Sequence, residues 1–301
     1  MNRRHFIGSA ALSTLASLAS PMLSKLHAFP LTAIPENSDA VLCKEKLDFA
    51  LSRRLAERPI NEVIVEIAKT FIGTNYVDHV LEEAGPEHLV VNLRALDCVS
   101  FYENTLALAL CVKMKRLTFD DFKTELQRIR YRSGVIDGYP SRLHYTTDYW
   151  FDNEKKGVLK VVTKDLFGEK NVHLLPKPIN FMSAHRSSYQ QLADDGICNS
   201  IRKQEEEISE REVFFLPKGN LHMFAERIKT GSLIGITTNV PGLDVSHTGI
   251  AVRLETGALH LLHAPDIGYK VQMTEKPLHD YLALHPKQTG IIVAEALEPG
   301  P

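Results

Sequence analysis

A cysteine and two histidines are the residues of this chain whose types and spacing could support nucleophilic catalysis. Cys98 follows Asp97 and precedes apolar residues at helical spacing, so Asp97 is expected to cap a helix that begins at the cysteine. The partial positive charge of a helix N-terminus favours the thiolate, which is the nucleophilic form of cysteine. Cys98 is therefore a candidate nucleophile, and the alternative is a small buried cysteine in a core helix.

Two histidines in the second half of the chain are the candidates to activate such a thiol. His247 opens one predicted strand and His263 closes the next. In a β-hairpin these positions lie side by side, so the two imidazoles are predicted to be cross-strand neighbours. One can take the thiol proton while the other orients it. His260 has the opposite strand parity and is predicted to face away.

The elements that would position these residues divide the chain into a helical first half and a β-rich second half. Helical spacing runs from 43 to 69 with a break at Pro59, and a capping-box pattern, Thr118 to Asp121, opens another helix. The acidic run at 205–207 is interpreted as a solvated helix face. Alternating apolar segments separated by turn residues predict an antiparallel sheet and the α+β class. The predicted strands are 213–216, 232–237, 248–254, 258–263 and 290–294, and residues 88–93 are predicted as a short strand or extended segment.

The segment 131–186 is rich in aromatic and polar residues and contains a second group of candidates. Arg142, His144 and Tyr145 stand close together and could form a wall for a polar ligand such as a sugar or peptide. The alternative is a loop that packs through its aromatic rings. Asp244, just before His247, could shape a pocket or cap a turn, and the turn is the favoured interpretation.

Composition and the N-terminus constrain where the protein works. Arg3 and Arg4 precede a weakly hydrophobic run, so residues 1–28 are predicted to be a twin-arginine export signal and the protein periplasmic or secreted. The run is short and interrupted by Pro21, so stable membrane insertion is not expected. The chain without residues 1–28 has 32 basic and 37 acidic residues. The resulting formal charge of −5 argues against nucleic-acid binding. The four cysteines are widely spaced and form no zinc-ribbon pattern.

Three short blocks together resemble one enzyme family. Residues 97–101, 246–250 and 262–265 look like the catalytic blocks of NlpC-type cysteine amidases, papain-like enzymes that cut bacterial peptidoglycan. Residues 71–77 resemble that family's Gly-x-x-Tyr block, although Asn75 stands where proline is usual. The long segment between the cysteine and the first histidine is similar to the branch resembling N-acetylmuramoyl-L-alanine amidase.

The resemblance implies an architecture and a substrate. It implies an α+β, papain-like or NlpC-type fold in which the cysteine helix packs on an antiparallel sheet, with a helical N-terminal part. Residues 29–301 would form one catalytic domain with an insertion around 116–212. The expected substrates are peptidoglycan fragments (muropeptides), including turnover products with anhydro-muramic acid, and no cofactor or metal is expected.

The resemblance also implies a role for each candidate residue. Cys98 would attack the amide carbonyl between N-acetylmuramic acid and L-Ala, His247 would act as base and then as acid, and His263 would orient His247. The hydroxyl of Tyr76 and the Cys98 backbone N–H would stabilise the oxyanion. Arg142, His144, Tyr145 and Asp244 would contact the substrate or shape its pocket.

Three other functions remain open from the sequence. A stem-peptide endopeptidase or an acyltransferase could use the same Cys-His-His triad. A zinc-dependent amidase could use His247, His263 and Asp244 as metal ligands. A binding protein without activity could retain the fold, although such a protein would typically have lost the nucleophile or the base.

Overall fold

The helices and strands follow the division expected from the sequence. The computed structural model describes residues 38–266 and 268–300, so the export signal predicted at 1–28 lies outside the described residues. The helices are α1 (Ser38–Ser52), α2 (Ile60–Lys69), α3 (Cys98–Lys113), α4 (Phe119–Arg130), α5 (Thr146–Lys155), α6 (Thr163–Phe167), α7 (Phe181–Ala184), α8 (Asp195–Glu210), α9 (Leu221–Phe224) and α10 (Leu278–Ala283). The strands are β1 (Asn75–Tyr76), β2 (Ala95–Leu96), β3 (Leu159–Val161), β4 (His173–Leu174), β5 (Phe214–Pro217), β6 (Leu233–Thr238), β7 (Val245–Arg253), β8 (Leu259–His263), β9 (Gln272–Met273) and β10 (Gln288–Ala296).

An eight-stranded antiparallel sheet forms the centre of the structure. Its order is β4-β5-β10-β6-β7-β8-β9, and β3 pairs with the C-terminal half of β10. Alternate residues of the central strands point to opposite faces, as in Ile291 and Ile292, which belong to two different hydrophobic clusters. Helices α1 to α5 cover one face, and α6, α9 and α10 contribute to the cluster on the other. The α+β class with an antiparallel sheet is therefore confirmed.

Helix α3 carries the candidate nucleophile through the middle of the protein. Nearly every residue from 98 to 112 is buried, as expected for a helix that is apolar on all sides. The helix packs on β7, the strand that contains His247, and also on α2 and α4. A helix fixed on several sides holds its first residue in one position relative to the sheet.

A buried ion pair joins α3 to α4. The Nε atom of Arg130 donates to an oxygen of Glu103 at 2.8 Å, and each residue is only 1 % exposed. Burial raises the pKa of the Glu103 carboxyl, and the positive charge of Arg130 opposes that shift. Because Glu103 lies on the helix that begins at Cys98, this pair helps to hold the nucleophile's helix in place.

We expect Arg130→Met to lower the free energy of unfolding by about 3–5 kcal/mol, because it leaves the Glu103 carboxylate buried without its partner. The pKa of that carboxyl would rise further, so the folded state would bind a proton more readily than the unfolded chain. The loss should therefore be smaller at acidic pH than at neutral pH. Denaturant unfolding at both pH values measures it. The double variant Arg130→Met/Glu103→Leu should recover most of the stability, and equal losses in both variants would contradict the prediction.

Most predicted elements are present, with three differences. The predicted strands around 213–216, 232–237, 248–254, 258–263 and 290–294 correspond to β5, β6, β7, β8 and β10. Of the two forms predicted for residues 88–93, a short strand or an extended segment, the strand is not formed, and Arg130 and Tyr131 bond to backbone carbonyls of that segment. A helix, α5, occupies part of the segment interpreted as a wall or loop. The prediction that the acidic run 205–207 faces solvent is wrong for Glu205, which is 1 % exposed.

No helix among residues 38–266 and 268–300 is long and apolar enough to cross a membrane.

Candidate active site

The start of α3 has the capped geometry expected from the sequence. Asp97 accepts the backbone N–H of Ser100 at 2.7 Å, and the Ser100 hydroxyl oxygen accepts the backbone N–H of Asp97 at 2.9 Å. This reciprocal capping box satisfies two donors that a helix start leaves unpaired. Cys98 is the first residue of the helix and is 6 % exposed. The predicted cap is confirmed, and the thiol lies at the positive end of the helix.

A hydrogen bond ties Cys98 to the strand of the first histidine. The hydroxyl of Thr248 donates to the backbone carbonyl of Cys98 at 2.7 Å. Thr248 directly follows His247 on β7, so the bond fixes the start of α3 beside that histidine. Cys98 and His247 line the same cavity.

The two histidines form a hydrogen-bonded pair. The Nε2 atom of His247 lies 2.7 Å from Nδ1 of His263, and both residues are buried. Ile250 is paired with Leu262, so His263 falls opposite Gly249 and diagonal to His247 on the same face. The predicted neighbourhood is confirmed. His260 instead bonds the carbonyl of Thr274 through Nδ1 at 2.7 Å.

A glycine allows the two strands to approach closely beside the pair. A Cβ atom on Gly249 would lie 2.8 Å from the carbonyl oxygen of Leu262 and 2.8 Å from Cγ of Leu261. A side chain at this position would therefore push β7 away from β8. The glycine in the Ser-His-Thr-Gly segment keeps the imidazoles within hydrogen-bond distance.

Two further rings, Tyr281 and His285, lie next to the histidine pair on the side of His263. The Tyr281 ring meets His263 edge-on at 5.4 Å, and the His285 ring lies 4.4 Å from Tyr281. Nδ1 of His285 bonds the Tyr281 carbonyl at 2.7 Å. The sequence analysis did not select these residues, because the short helix α10 that carries Tyr281 contains no motif.

The cavity in front of Cys98 has a volume of about 130 Å³. Besides Cys98 and His247, three of the predicted site residues line it: Tyr76, Arg142 and His144. Tyr145 does not. His79 also lines it and was not selected from the sequence. Its backbone is left-handed, with φ of 55°, and its buried Nε2 atom has no hydrogen-bond partner in the described part of the chain.

Tyr76 reaches the cavity through a two-stranded parallel ribbon. β1 pairs with β2 so that Tyr76 stands opposite Leu96, two residues before the nucleophile. The Tyr76 side chain is 7 % exposed, and its hydroxyl donates to Asp78. The structure therefore brings Tyr76 beside Cys98, with its hydroxyl engaged by a carboxylate.

Arg142 and His144 stand in the cavity wall with partners from the protein itself. The Arg142 guanidinium lies 2.8 Å from Glu82 and 3.1 Å from Glu87, and is 6 % exposed at the residue level. Nε2 of His144 bonds the carbonyl of Tyr139 at 2.9 Å. A substrate carboxylate would have to compete with two glutamates for Arg142, so its predicted grip on substrate remains a prediction.

Tyr145 belongs to the core rather than to the cavity. Its hydroxyl donates to Glu205 at 2.6 Å and accepts the backbone N–H of Met182 at 2.8 Å. The residue is 3 % exposed. The expectation that Tyr145 contacts substrate is corrected, because its hydroxyl is hydrogen-bonded to residues of helices α7 and α8.

Asp244 caps a helix at a distance. One carboxylate oxygen accepts the backbone N–H of Thr147 at 2.8 Å and its hydroxyl at 2.9 Å, at the start of α5. The other accepts the N–H of Val245. Asp244 is fully buried and does not line the cavity. The interpretation as a turn cap is therefore replaced by a helix cap supplied from another element.

The zinc site considered from the sequence is not assembled by these residues. The Asp244 carboxylate is directed to Thr147 and Val245, while His247 and His263 bond to each other. Among the described residues, no group of three or more histidine, cysteine or acidic side chains is placed to hold a metal ion.

The other three cysteines occupy different environments. Cys43, Cys111 and Cys198 are free thiols with at most 1 % exposure. Burial raises the pKa of Cys43 to about 12, against a smaller opposing effect of Lys46, and burial also raises the pKa of Cys111. Cys43 and Cys111 are therefore poor nucleophiles at neutral pH.

Comparison with known proteins identifies the family. A family model described as AmiA-like, N-acetylmuramoyl-L-alanine amidase-like, matches residues 66–291. A crystal structure of an N-acetylmuramoyl-L-alanine amidase from Bacteroides uniformis superposes with a TM-score of 0.73 at 37 % identity, covering 79 % of this chain and 99 % of that one. Curated proteins give no match.

Two further structures are similar. A Bacteroides fragilis protein named as a candidate xylanase has a TM-score of 0.70 and 38 % identity, covering 76 % of this chain and 98 % of that one. A Legionella pneumophila protein shares the fold at 22 % identity and a TM-score of 0.62, covering 86 % of this chain and 97 % of that one. By the family match across residues 66–291, the chain belongs to the AmiA-like, N-acetylmuramoyl-L-alanine amidase-like family.

Proposed function

We propose that this protein is a cysteine amidase that hydrolyses the amide between N-acetylmuramic acid and the L-Ala of the stem peptide. The observation that carries the proposal is the placement of Cys98, at a capped helix start, in one cavity with His247, whose Nε2 bonds His263 at 2.7 Å. The papain-like, NlpC-type relationship belongs to this proposal, supported by the order cysteine, histidine, polar residue along the chain.

The hydrogen bond between the histidines assigns the proton-transfer atom. Because Nε2 of His247 is engaged with His263, the proton exchanged with Cys98 must use Nδ1 of His247. The thiolate attacks the carbonyl carbon, and His247 passes the proton to the leaving nitrogen as the C–N bond breaks. Water then attacks the thioester, giving its proton to Nδ1 of His247 and returning the thiol to Cys98.

The backbone N–H of Cys98, at the first turn of α3, is the first donor to the oxyanion in this proposal. The Tyr76 hydroxyl is the second, and its proton must turn from Asp78 toward the substrate oxygen as negative charge develops. A donor that changes partners in this way strengthens binding of the transition state more than of the substrate.

We expect Tyr76→Phe to lower kcat by about 10²-fold with little change in KM, because one oxyanion donor is lost. Steady-state kinetics on a purified muropeptide measures this split. Thermal unfolding of the same variant is the control, because Tyr76 also bonds Asp78. An unchanged kcat in a variant of lower stability would assign Tyr76 a structural role only.

Carboxylate-based hydrolysis of a glycosidic bond is the function suggested by the name of the Bacteroides fragilis structure. A glycosidase needs two carboxyl groups facing the substrate. The four acids among the described residues that line this cavity all have partners in the protein: Asp78 accepts from Tyr76, Asp97 caps α3, Glu103 pairs with Arg130, and Glu82 pairs with Arg142. The cysteine and histidine arrangement therefore supports an amidase better than a glycosidase.

An endopeptidase or acyltransferase with the same triad would differ in the substrate held beside it. The name of the Bacteroides uniformis relative and the family description both support cleavage at L-Ala. The small cavity of about 130 Å³ at a nearly buried thiol suits short muropeptides, including anhydro-muramyl turnover products, more than intact wall.

Mass spectrometry of defined muropeptides incubated with purified residues 29–301 tests the proposed bond. We expect a free stem peptide that begins at L-Ala, together with the unsubstituted muramyl sugar. Fragments cut inside the stem would assign the endopeptidase activity instead. Absence of any product that depends on the thiol would refute a cysteine hydrolase of the wall.

We also propose that the protein is exported, because Arg3 and Arg4 precede a weakly hydrophobic run. The full chain should appear in the periplasm or medium with a new N-terminus near Ala28, as read by mass spectrometry of the purified protein. Replacing both arginines by lysine should retain the unprocessed chain inside the cell. Export of that variant at the normal level would contradict a twin-arginine signal.

A further inference from the structure

A second and larger cavity borders the histidine pair. Its volume is about 630 Å³, and both His247 and His263 line it. Most of the remaining wall comes from residues 265–266, from β9 and the three residues after it, from α10, and from the segment that leads into β10. Cys98 is not among its lining residues, whereas Ser246 and His247 belong to both cavities.

The proposed chemistry assigns opposite halves of the substrate to the two cavities. The carbonyl carbon must meet the sulfur of Cys98, so the acyl half of the substrate lies in the cavity lined by Cys98. The leaving nitrogen must receive a proton from Nδ1 of His247, so the amine half begins beside that imidazole, where the two cavities share Ser246 and His247. The second cavity is the space that begins at that histidine and does not include the thiol.

The polar groups of the second cavity suit a peptide. The buried Oε1 atom of Gln288 has no hydrogen-bond partner among the described residues, and it can accept a peptide N–H. Lys276 is exposed, and the described part of the chain offers it no ion pair or hydrogen bond. Its ammonium can pair with a carboxylate. Lys287 and His285 add further positive or titratable groups, and Asp266 and Glu275 are the acids that face them.

We propose that this second cavity is the subsite for the peptide half of the substrate, with Gln288 accepting a main-chain N–H and Lys276 pairing with a carboxylate of the stem. The inference rests on the proposed amidase function, because only the amine half of such a substrate is a peptide. Lys276 would recognise stem residues beyond L-Ala, and the bond cleavage itself would remain with Cys98 and His247.

A binding experiment tests the subsite without requiring turnover. The probe is a free tripeptide beginning L-Ala-D-Glu, titrated by calorimetry into the Cys98→Ala protein. Adding Lys276→Gln should weaken binding about tenfold, the loss typical of a charge-assisted pair. Adding Lys203→Gln, the same change at an exposed lysine that lines neither cavity, should leave the affinity unchanged. Equal affinities in all three proteins, or equal losses in both added variants, would overturn the subsite.

Kinetics on two substrates separates this inference from the proposed function. With Cys98 intact, Lys276→Gln should raise KM for a muramyl-tripeptide but not for muramyl-L-Ala, which lacks the longer stem. Cleavage of both substrates with no effect of Lys276→Gln on either would overturn the subsite while retaining the amidase. If the unmodified enzyme cleaves neither substrate, the proposed function fails, and the calorimetric result still decides whether the cavity binds peptide.

Discussion

Cys98→Ala is expected to abolish muropeptide hydrolysis, with a fall in kcat of about 10⁵-fold or more, as is typical when a covalent nucleophile is removed. The substitution deletes one sulfur atom. It leaves the capping box of Asp97 and Ser100 intact, as well as the bond from Thr248 to the backbone of residue 98. The variant should therefore fold, and circular dichroism and thermal unfolding verify this before activity is measured.

Cys111→Ala is the matched control, because it removes a thiol from the opposite end of the same helix. Cys111 is fully buried, and burial raises the pKa of its thiol. We expect unchanged kcat with a small loss of stability from the cavity that remains. Activity that persists in Cys98→Ala, or that is lost equally in both variants, would exclude Cys98 as the nucleophile.

Chemical modification provides a second measurement of the same prediction. Cys98 is 6 % exposed, and it is the only cysteine of the described residues that lines the cavity in front of His247. Brief treatment with iodoacetamide should therefore alkylate Cys98 before the other thiols and inactivate the enzyme in parallel. Peptide mapping identifies the modified residue, and early modification of Cys43 or Cys198 would contradict this order.

Local sequence patterns predicted the parts of the site that depend on neighbouring residues. The helix cap at Asp97 and the parity that separates His260 from His263 are properties of one helix turn and one strand. The pairing of the histidines follows from a hairpin whose strands are close in the chain. These features need little information from distant residues, and the structure confirms them.

Residues whose partners are distant in the chain were interpreted less well. Arg142 and Tyr145 resemble ligand-binding side chains in sequence, yet their charges and hydroxyls are satisfied by Glu82 and Glu205, each 60 residues away. Burial of a charged residue depends on finding such a partner. A single sequence shows the residue types and not the tertiary pairing.

Helix α5 was also missed because the residue that caps it, Asp244, is distant in the chain. Tyr145, at the N-cap position of α5, supplies no capping side chain. The cap comes instead from Asp244, whose carboxylate accepts the backbone N–H of Thr147, 97 residues earlier in the chain. A local search for start signals therefore finds neither the helix nor the role of the aspartate. The second cavity, built from β9, α10 and the start of β10, is likewise invisible before these segments meet.

His263→Leu is expected to lower kcat by about 10³–10⁴-fold, the second largest effect in the site. In the proposed mechanism Nδ1 of His247 must accept the thiol proton, so its Nε2 carries a hydrogen and donates to Nδ1 of His263. Leucine offers no acceptor, so the Nε2–H would be buried without a partner and the imidazole would favour the wrong tautomer. His263→Asn places an amide oxygen near the lost nitrogen and should retain much more activity.

The matched control for His263 lies on the same strand. His260 faces the other side of β8 and bonds the carbonyl of Thr274, so His260→Asn should leave kcat unchanged while altering stability. A positioning role for His263 also predicts that His263→Leu lowers kcat with little effect on KM and changes the pH profile of kcat. Asparagine should restore that profile toward the original. If both His263 variants lose activity only in proportion to folded protein, the bond between the histidines holds the sheet together and does not prepare the base. A bond that only stabilises the fold contributes equally at every step of the reaction. A bond that orients the base contributes most when His247 carries the proton.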